Sequence, residues 1–252
     1  MWTAHVDRVN GDPVELARSN AVSSTPARNR LLAALPTEDL HRVAGRVALV
    51  QCPVGMILVE DGKPADWAYF PTTCIAARFY TMKDGSTSEH GIIGSDGLVG
   101  ITAFLGGGSL PGRVEVLVGG DALRMTAAAV LDEFRRGGAF QQLLLRYTQE
   151  LIVQISLEAV CRSYHAAEQR LARLLLLMRD RSSGADLPLT QESIATLLGV
   201  RRETVSHAAA HLQSQHCIRY ERGHITVVDV TQLKRAACEC YRAVADESAR
   251  LF

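Results

Sequence analysis

The stretch TQESIATLLGVRRETVSHAAAHLQ, Thr190 to Gln213, constrains this chain more than any other. At helical period, Ile194, Ala195, Leu197 and Leu198 form an apolar face, Gly199 interrupts it, and Val205, Ala208, Ala209 and Leu212 resume it. Two short helices with a tight turn between them follow. Thr190 suits an N-cap, Glu192 puts negative charge in the first turn, and Gly199 suits the left-handed residue at which the chain reverses. Ala195 is small where the helices must cross, and Val205 faces the same corner. The spacing A-x3-G-x5-V is therefore a helix-turn-helix signature with a packing reason behind each position. The second helix opens Arg201-Arg202-Glu203-Thr204. Two arginines there oppose the helix dipole, at roughly 0.3 to 1 kcal/mol each, unless an anion compensates them. A DNA phosphate is such an anion, and a recognition helix presents its first residues to major-groove base edges, where Arg bridges guanine and Glu accepts from cytosine. The competing reading is a solvated charged face.

Beyond that motif, Cys217-Ile218-Arg219-Tyr220 and Ile225-Thr226-Val227-Val228 read as two strands around the Arg222-Gly223 turn, a wing. Together, LTQESIATLLGVRRETVSHAAAHL and this wing resemble the winged helix-turn-helix of the Crp/Fnr superfamily of bacterial transcription regulators. The resemblance implies that Arg202 and Glu203 read guanine and cytosine and that Thr204 contacts phosphate. His207 stands where relatives commonly place a second base-reading Arg, and Arg201 replaces a small N-cap residue, so the half-site stays open. The candidate DNA-binding set is Arg201, Arg202, Glu203, Thr204, Ser206, His207, Thr190, Gln191 and Arg222, with Arg201, Thr190, Gln191 and Arg222 holding the backbone.

At 252 residues, with 47% hydrophobic and 21% charged content, the chain is long enough for one large or two ordinary globular domains. Its formal net charge is +0, whereas DNA binders are commonly basic; steering depends on distribution, and Arg201, Arg202, Arg219 and Arg222 cluster. Without a run of about 18 apolar residues or a signal-peptide core, the expectation is a cytoplasmic protein with no membrane partner and six mostly reduced cysteines.

The expected fold is α+β: an N-terminal antiparallel, jelly-roll-like β-roll, a long dimerisation helix and a C-terminal winged helix-turn-helix. Residues 1–28 read as a flexible leader, 29–136 as a cyclic-nucleotide-binding-like sensor roll, 137–165 as dimerisation helix and hinge, and 166–252 as the DNA-binding domain. Before the roll, NRLLAALPTEDLHRVAGRV predicts a short helix, a break at Pro36 and a second helix capped by Thr37. Within the roll, strands are expected at 56–60, 67–70, 76–82, 89–93, 114–118 and 122–125, separated by Gly, Pro and Asp turns. After it, Thr126 to Phe134 reads as a short helix, Gly137-Gly138 breaks it, and a long helix runs from about Ala139 to Arg162. Phe140, Leu144, Tyr147, Leu151 and Ile155 share one stripe there, with Leu143, Ile152 and Ala159 widening it toward the roll. The stripe points to a second copy of the chain, with burial against the roll as the competing reading. The family resemblance implies a parallel homodimer matching half-sites roughly 34 Å apart. Ser163-Tyr164-His165 reads as the hinge, Ala166 to Arg181 as the next helix, ended by Ser182-Ser183-Gly184, and Thr231 as the cap of a last helix toward Tyr241.

The sensor site departs from the family pattern. Cyclic-nucleotide-binding relatives follow a Gly with the Glu that holds ribose, but here Gly100 precedes Ile101, and GGGSLPGR (106–113) replaces the compact phosphate cassette. Gly100, Gly107, Gly108 and Arg113 are kept as a candidate site for some other small-molecule effector, against a mobile glycine loop. No cofactor is assigned. Cys161, His165, Cys238 and Cys240 offer a redox or metal-responsive alternative, but with no second well-spaced Cys or His pair evident, inert buried thiols are the preferred reading and no metal ligand is assigned. No catalytic residue is expected: His90 is the roll's only histidine, and no phosphate loop, nucleophile elbow or His-Glu-x-x-His occurs. The reading is a non-enzymatic regulator with double-stranded DNA and RNA polymerase as partners, against a non-DNA-binding adaptor.

Overall fold

A computed structural model describes residues 26–182 and 186–252, so most of the expected leader and residues Ser183-Gly184 lie outside the described part. Two short helices come first. In α1 (Arg30–Ala33) the Asn29 side chain accepts from the Leu32 amide and donates to the carbonyls of Pro71 and Gly97, which pins the segment to the roll. α2 (Thr37–Ala44) starts after Pro36, which fixes its own φ at the cap position; Thr37 is already helical and caps nothing.

The roll consists of two antiparallel sheets. One has the order β1-β7-β3, from Ala48–Cys52, Gly120–Thr126 and Trp67–Pro71. The other has the order β2-β6-β4-β5, from Ile57–Val59, Arg113–Val118, Ile75–Thr81 and Thr87–Ile93. The first strand, Ala48–Cys52, was not among the expected ones; its residues are mostly half-buried and pairing with β7 is what makes it a strand. Between the sheets Ala76, Ile93, Val99, Val114 and Val116 form a dry interior. A single turn of helix, α3 (Thr102–Leu105), links β5 to β6.

Thr126 then caps α4 (Ala127–Arg136) through the Ala129 amide, and Gly137 and Gly138, both at positive φ, turn the chain into α5 (Ala139–Tyr164). This 26-residue helix spans about 39 Å at the usual rise. Its first half is claimed by the roll: Phe140, Leu143, Leu144 and Tyr147 are buried with Phe70, Leu123 and Met125. The expected stripe therefore divides. Its N-terminal residues are core, while Ile155 is exposed, and Ile152 and Ala159, expected to face the roll, point to solvent with Leu145 and Val160. An α-helix advances 3.6 residues per turn, so a stripe spaced by threes and fours drifts around the helix and serves two surfaces in succession.

The hinge is His165-Ala166, because Ser163 and Tyr164 remain helical. α6 (Ala167–Arg181) leads through β8 (Asp186–Leu187) into α7 (Gln191–Leu198) and α8 (Arg202–Ser214). β9 (Ile218–Glu221) and β10 (His224–Val227) pair with β8 in the order β8-β10-β9. The end of the chain differs from the expected single helix. Asp229, not Thr231, caps α9 (Val230–Ala236), and after a break at 237–239 a further helix, α10 (Cys240–Leu251), packs back along α5.

Candidate nucleic-acid interface and effector cavity

The helix-turn-helix corner is built as its spacing requires. Thr190 accepts from the Ser193 amide at 3.1 Å, and Gly199 closes α7 in the left-handed region at φ 62°. A Cβ on Gly199 would meet only the mobile end of Arg162, at 2.8 Å, so what disfavours a side chain there is the left-handed backbone. Ile194, Ala195, Leu197, Leu198, Val205, Ala208, Ala209 and Leu212 are all buried in one cluster with α6. Packing of that face turns the other face of α8 outward: Arg201, Arg202, Glu203, Thr204 and His207 are exposed, and Ser206 is half-buried.

Gln191 ties the two helices together, its side-chain carbonyl accepting from Arg202 Nε at 3.2 Å and Ser206 Oγ at 2.9 Å. Arg202 is thereby held at the mouth of a surface cleft lined also by Thr190, Glu192, Tyr220, Arg222 and Gly223. The wing turn brings its cation there at a conformational cost. Arg222 and Gly223 both have positive φ, 49° and 84°, the two-residue hairpin geometry that favours Asn-Gly. The cleft offers two guanidinium groups and an exposed Thr190 hydroxyl beside a helix N-terminus, with the Glu192 carboxylate also in its wall.

A second cavity, of about 370 Å³ and partly open to solvent past Ile152 and Ile155, lies where the roll, α5 and the helix-turn-helix domain meet. Its walls are largely apolar, with Ile93, Leu98, Ile101, Leu110, Leu151 and Leu174 among them. Of its arginines, Arg170 donates to the Leu198 carbonyl, Arg173 to Glu158, and Arg181 to Asp96, the Ile92 carbonyl and Gln154. Arg78 has no carboxylate or hydrogen-bond partner among the described residues, and burial pushes its pKa down. Glu89 is held nearby, 3.4 Å from Arg162; burial, seconded by the charge of Glu158, outweighs that arginine and pushes its carboxyl up to about 8.

Gly100, Gly107, Gly108 and Arg113 do not line this cavity. Gly100 is fixed by backbone packing, since a Cβ there would sit 2.8 Å from the Trp67 carbonyl oxygen. Gly107 and Gly108 face open space, and Arg113 lies over the Phe79 ring while pairing with Glu115 at 3.0 Å. Arg78 was not singled out from the sequence. An arginine in a β-strand of otherwise apolar residues, IAARFYT, is the signal that could have found it.

Residues 169–236 match the model of the Crp-like helix-turn-helix domain. No curated protein sequence matches the chain. Among solved structures, FixK2 from Bradyrhizobium japonicum is similar over 76% of this chain and 98% of its own, at 16% identity and a TM-score of 0.65. A CRP-family transcriptional regulator from Thermus thermophilus covers 75% of this chain and 96% of its own, at 17% identity and a TM-score of 0.62. A putative cyclic nucleotide binding protein from Ruegeria pomeroyi covers 85% and 97%, at 18% identity and a TM-score of 0.62. At these identities the likeness concerns the fold: a cyclic-nucleotide-binding-like roll joined to a Crp-like DNA-binding domain, the architecture of Crp/Fnr transcription regulators. Among the described residues no helix is long and apolar enough to cross a membrane.

Proposed function

We propose that the chain, which carries a Crp-like helix-turn-helix domain and has the Crp/Fnr fold, is a non-enzymatic transcription regulator reading a two-fold symmetric operator as a cytoplasmic homodimer. The observation that carries this reading is the exposed N-terminal turn of α8 beside the wing cleft. Arg202 and Glu203 make direct contacts to guanine and cytosine, and Thr204, Ser206 and His207 extend that surface. Arg201, Thr190, Gln191 and Arg222 hold the phosphate backbone in register. A second copy covers the exposed stripe Leu145, Ile152, Ile155, Ala159 and Val160 of α5, which would otherwise leave a row of apolar side chains in water. RNA polymerase is the further partner on which such a regulator acts.

The effector in this reading is an anion with an apolar body, its carboxylate or phosphate meeting Arg78 and its remainder filling the apolar walls. Ile101 stands where a ribose anchor is needed, so a cyclic nucleotide fits poorly. Because the cavity is bounded by all three parts of the molecule, its ligand shifts the population of hinge arrangements and with it the spacing of the paired recognition helices.

The test is selection of duplexes from a random pool, followed by binding measurements at one fixed salt concentration. A palindromic site with half-sites roughly 34 Å apart is expected. Arg202→Ala should cost about 1 to 3 kcal/mol and relax one base pair per half-site, whereas Arg222→Ala should weaken all sequences alike and reduce the salt slope by about one. Enrichment of no sequence would remove the reading.

A further inference from the structure

Three of the six cysteines and one histidine converge far from the DNA-binding surface, at the joint of the molecule. Cys161 and His165 are four residues apart, on one face of the last turn of α5 and its cap. Cys238 comes from the break between α9 and α10 and Cys240 from the first position of α10, and the helical pattern of the sequence does not announce that break. The fold brings Cys161 Sγ to 3.5 Å from Cys238 Sγ and Cys240 Sγ to 3.7 Å from His165 Nδ1. All four donor atoms lie within 4.8 Å of one another. The three sulfurs are buried in a small cluster of their own, apart from the apolar cores.

The two shortest of these separations are already those of donors around one ion, and the others, at up to 4.8 Å, need to close by at most about 1 Å. With metal–sulfur distances of about 2.3 Å and metal–nitrogen distances of about 2.0 Å, the edges of a tetrahedral site are about 3.5 to 3.8 Å. An iron–sulfur cluster, with several iron and sulfide atoms between its cysteines, needs a wider cage. The histidine is also oriented for the task. Its Nε2 lies 3.2 Å from the Glu239 carboxylate and its Nδ1 is turned toward Cys240, the carboxylate–histidine arrangement that supports metal ligands. Arg173 supplies the outer charge. Its side chain is buried, its Nε has no hydrogen-bond partner among the described residues, and its charge acts on Cys161 and Cys238. Three thiolates and a divalent ion leave one net negative charge, which an adjacent guanidinium neutralises. Inert thiols need neither the oriented histidine nor a buried arginine whose Nε is left without a partner beside its pair with Glu158.

We propose that Cys161, His165, Cys238 and Cys240 form a tetrahedral site for one thiophilic divalent cation of the zinc class. The ion clamps the end of the long helix to the C-terminal segment and so sets the hinge. Binding releases the thiol protons and involves no change of oxidation state. Only the consequence for DNA rests on the regulator reading; the stoichiometry does not.

The test uses the full chain without a polyhistidine tag, reduced, stripped with chelator and titrated with Co2+ and then Zn2+. One Co2+ per chain is expected, with the thiolate charge-transfer and tetrahedral d–d absorption of a Cys3His site, bleached by Zn2+. Cys161→Ser and Cys238→Ser should lose that spectrum, Cys52→Ser should keep it, and His165→Cys should bind with the altered spectrum of four thiolates. The last variant separates a lost ligand from a lost fold. Sub-stoichiometric uptake by the folded chain, a spectrum unchanged in Cys161→Ser, or a Cys161–Cys238 disulfide in reduced preparations would each overturn the site. Operator affinity should change by about tenfold on metal removal, a coupling of about 1.4 kcal/mol. If the spectra hold but affinity does not move, the clamp on the hinge is overturned and the metal site stands.

Discussion

Glu89 carries a charge balance that ties the β-roll to the hinge. It is buried on β5, facing Glu158 and Arg162 of α5 and Arg173 of α6, and its folded carboxyl is raised from 4.5 to about 8. A folded state that keeps a proton after the unfolded chain has lost it is stabilised fully below pH 4.5, and loses that contribution as the pH rises toward 8. We expect thermal stability to fall over this window by on the order of 1 to 3 kcal/mol, and Glu89→Gln to remove that component of the slope. Parallel profiles for the two proteins would show that Glu89 is ionised in the fold. Such single-residue roles were unevenly legible. Thr190 and Gly199 were readable because a cap and a left-handed turn are local demands. Arg78 and Glu89 were not, since a charged residue in a strand acquires meaning only from what lies across the cavity.

At the level of elements, α5 shows how one amphipathic pattern is shared. Leu144 and Tyr147 sit in the roll core, so Leu144→Ala should cost about 2 to 5 kcal/mol in denaturant unfolding, in monomer and dimer alike. Ile152, 61% exposed, belongs to the proposed partner surface. Ile152→Glu should leave unfolding of the isolated chain within about 0.5 kcal/mol of the parent while shifting mass by light scattering from dimer to monomer. A variant that remains dimeric would place the partner contact elsewhere. The sequence pattern predicted the length of α5 well, but not which face the roll would take, because burial on two sides uses the same residue types. The α9–α10 break escaped for a related reason: no Gly or Pro marks 237–239, and packing of α10 along α5 decides it.

Across the whole molecule, the DNA-binding domain is docked on the roll through a few close contacts. Arg181 reaches Asp96 at 2.7 Å and the Ile92 carbonyl at 2.7 Å, and Arg162 bridges the Glu89 carbonyl and the Leu197 carbonyl at the end of α7. Gly94 permits this approach, because a Cβ there would lie 2.4 Å from the Arg181 Cβ. Gly94→Ala should therefore separate the domains, raising the radius of gyration in X-ray scattering and exposing the hinge at His165-Ala166 to protease; an unchanged scattering curve would mean the docking yields locally. The sequence by itself determined the helix-turn-helix, its wing and the β character of the N-terminal half, since each rests on periodicities and turn residues within a few positions of one another. Tertiary structure alone decided the cavity with Arg78 in its wall, the division of α5 between core and solvent, and the meeting of Cys161 with Cys238. Those depend on contacts between residues tens of positions apart, and no local pattern encodes the distance between two side chains that only a completed fold brings together.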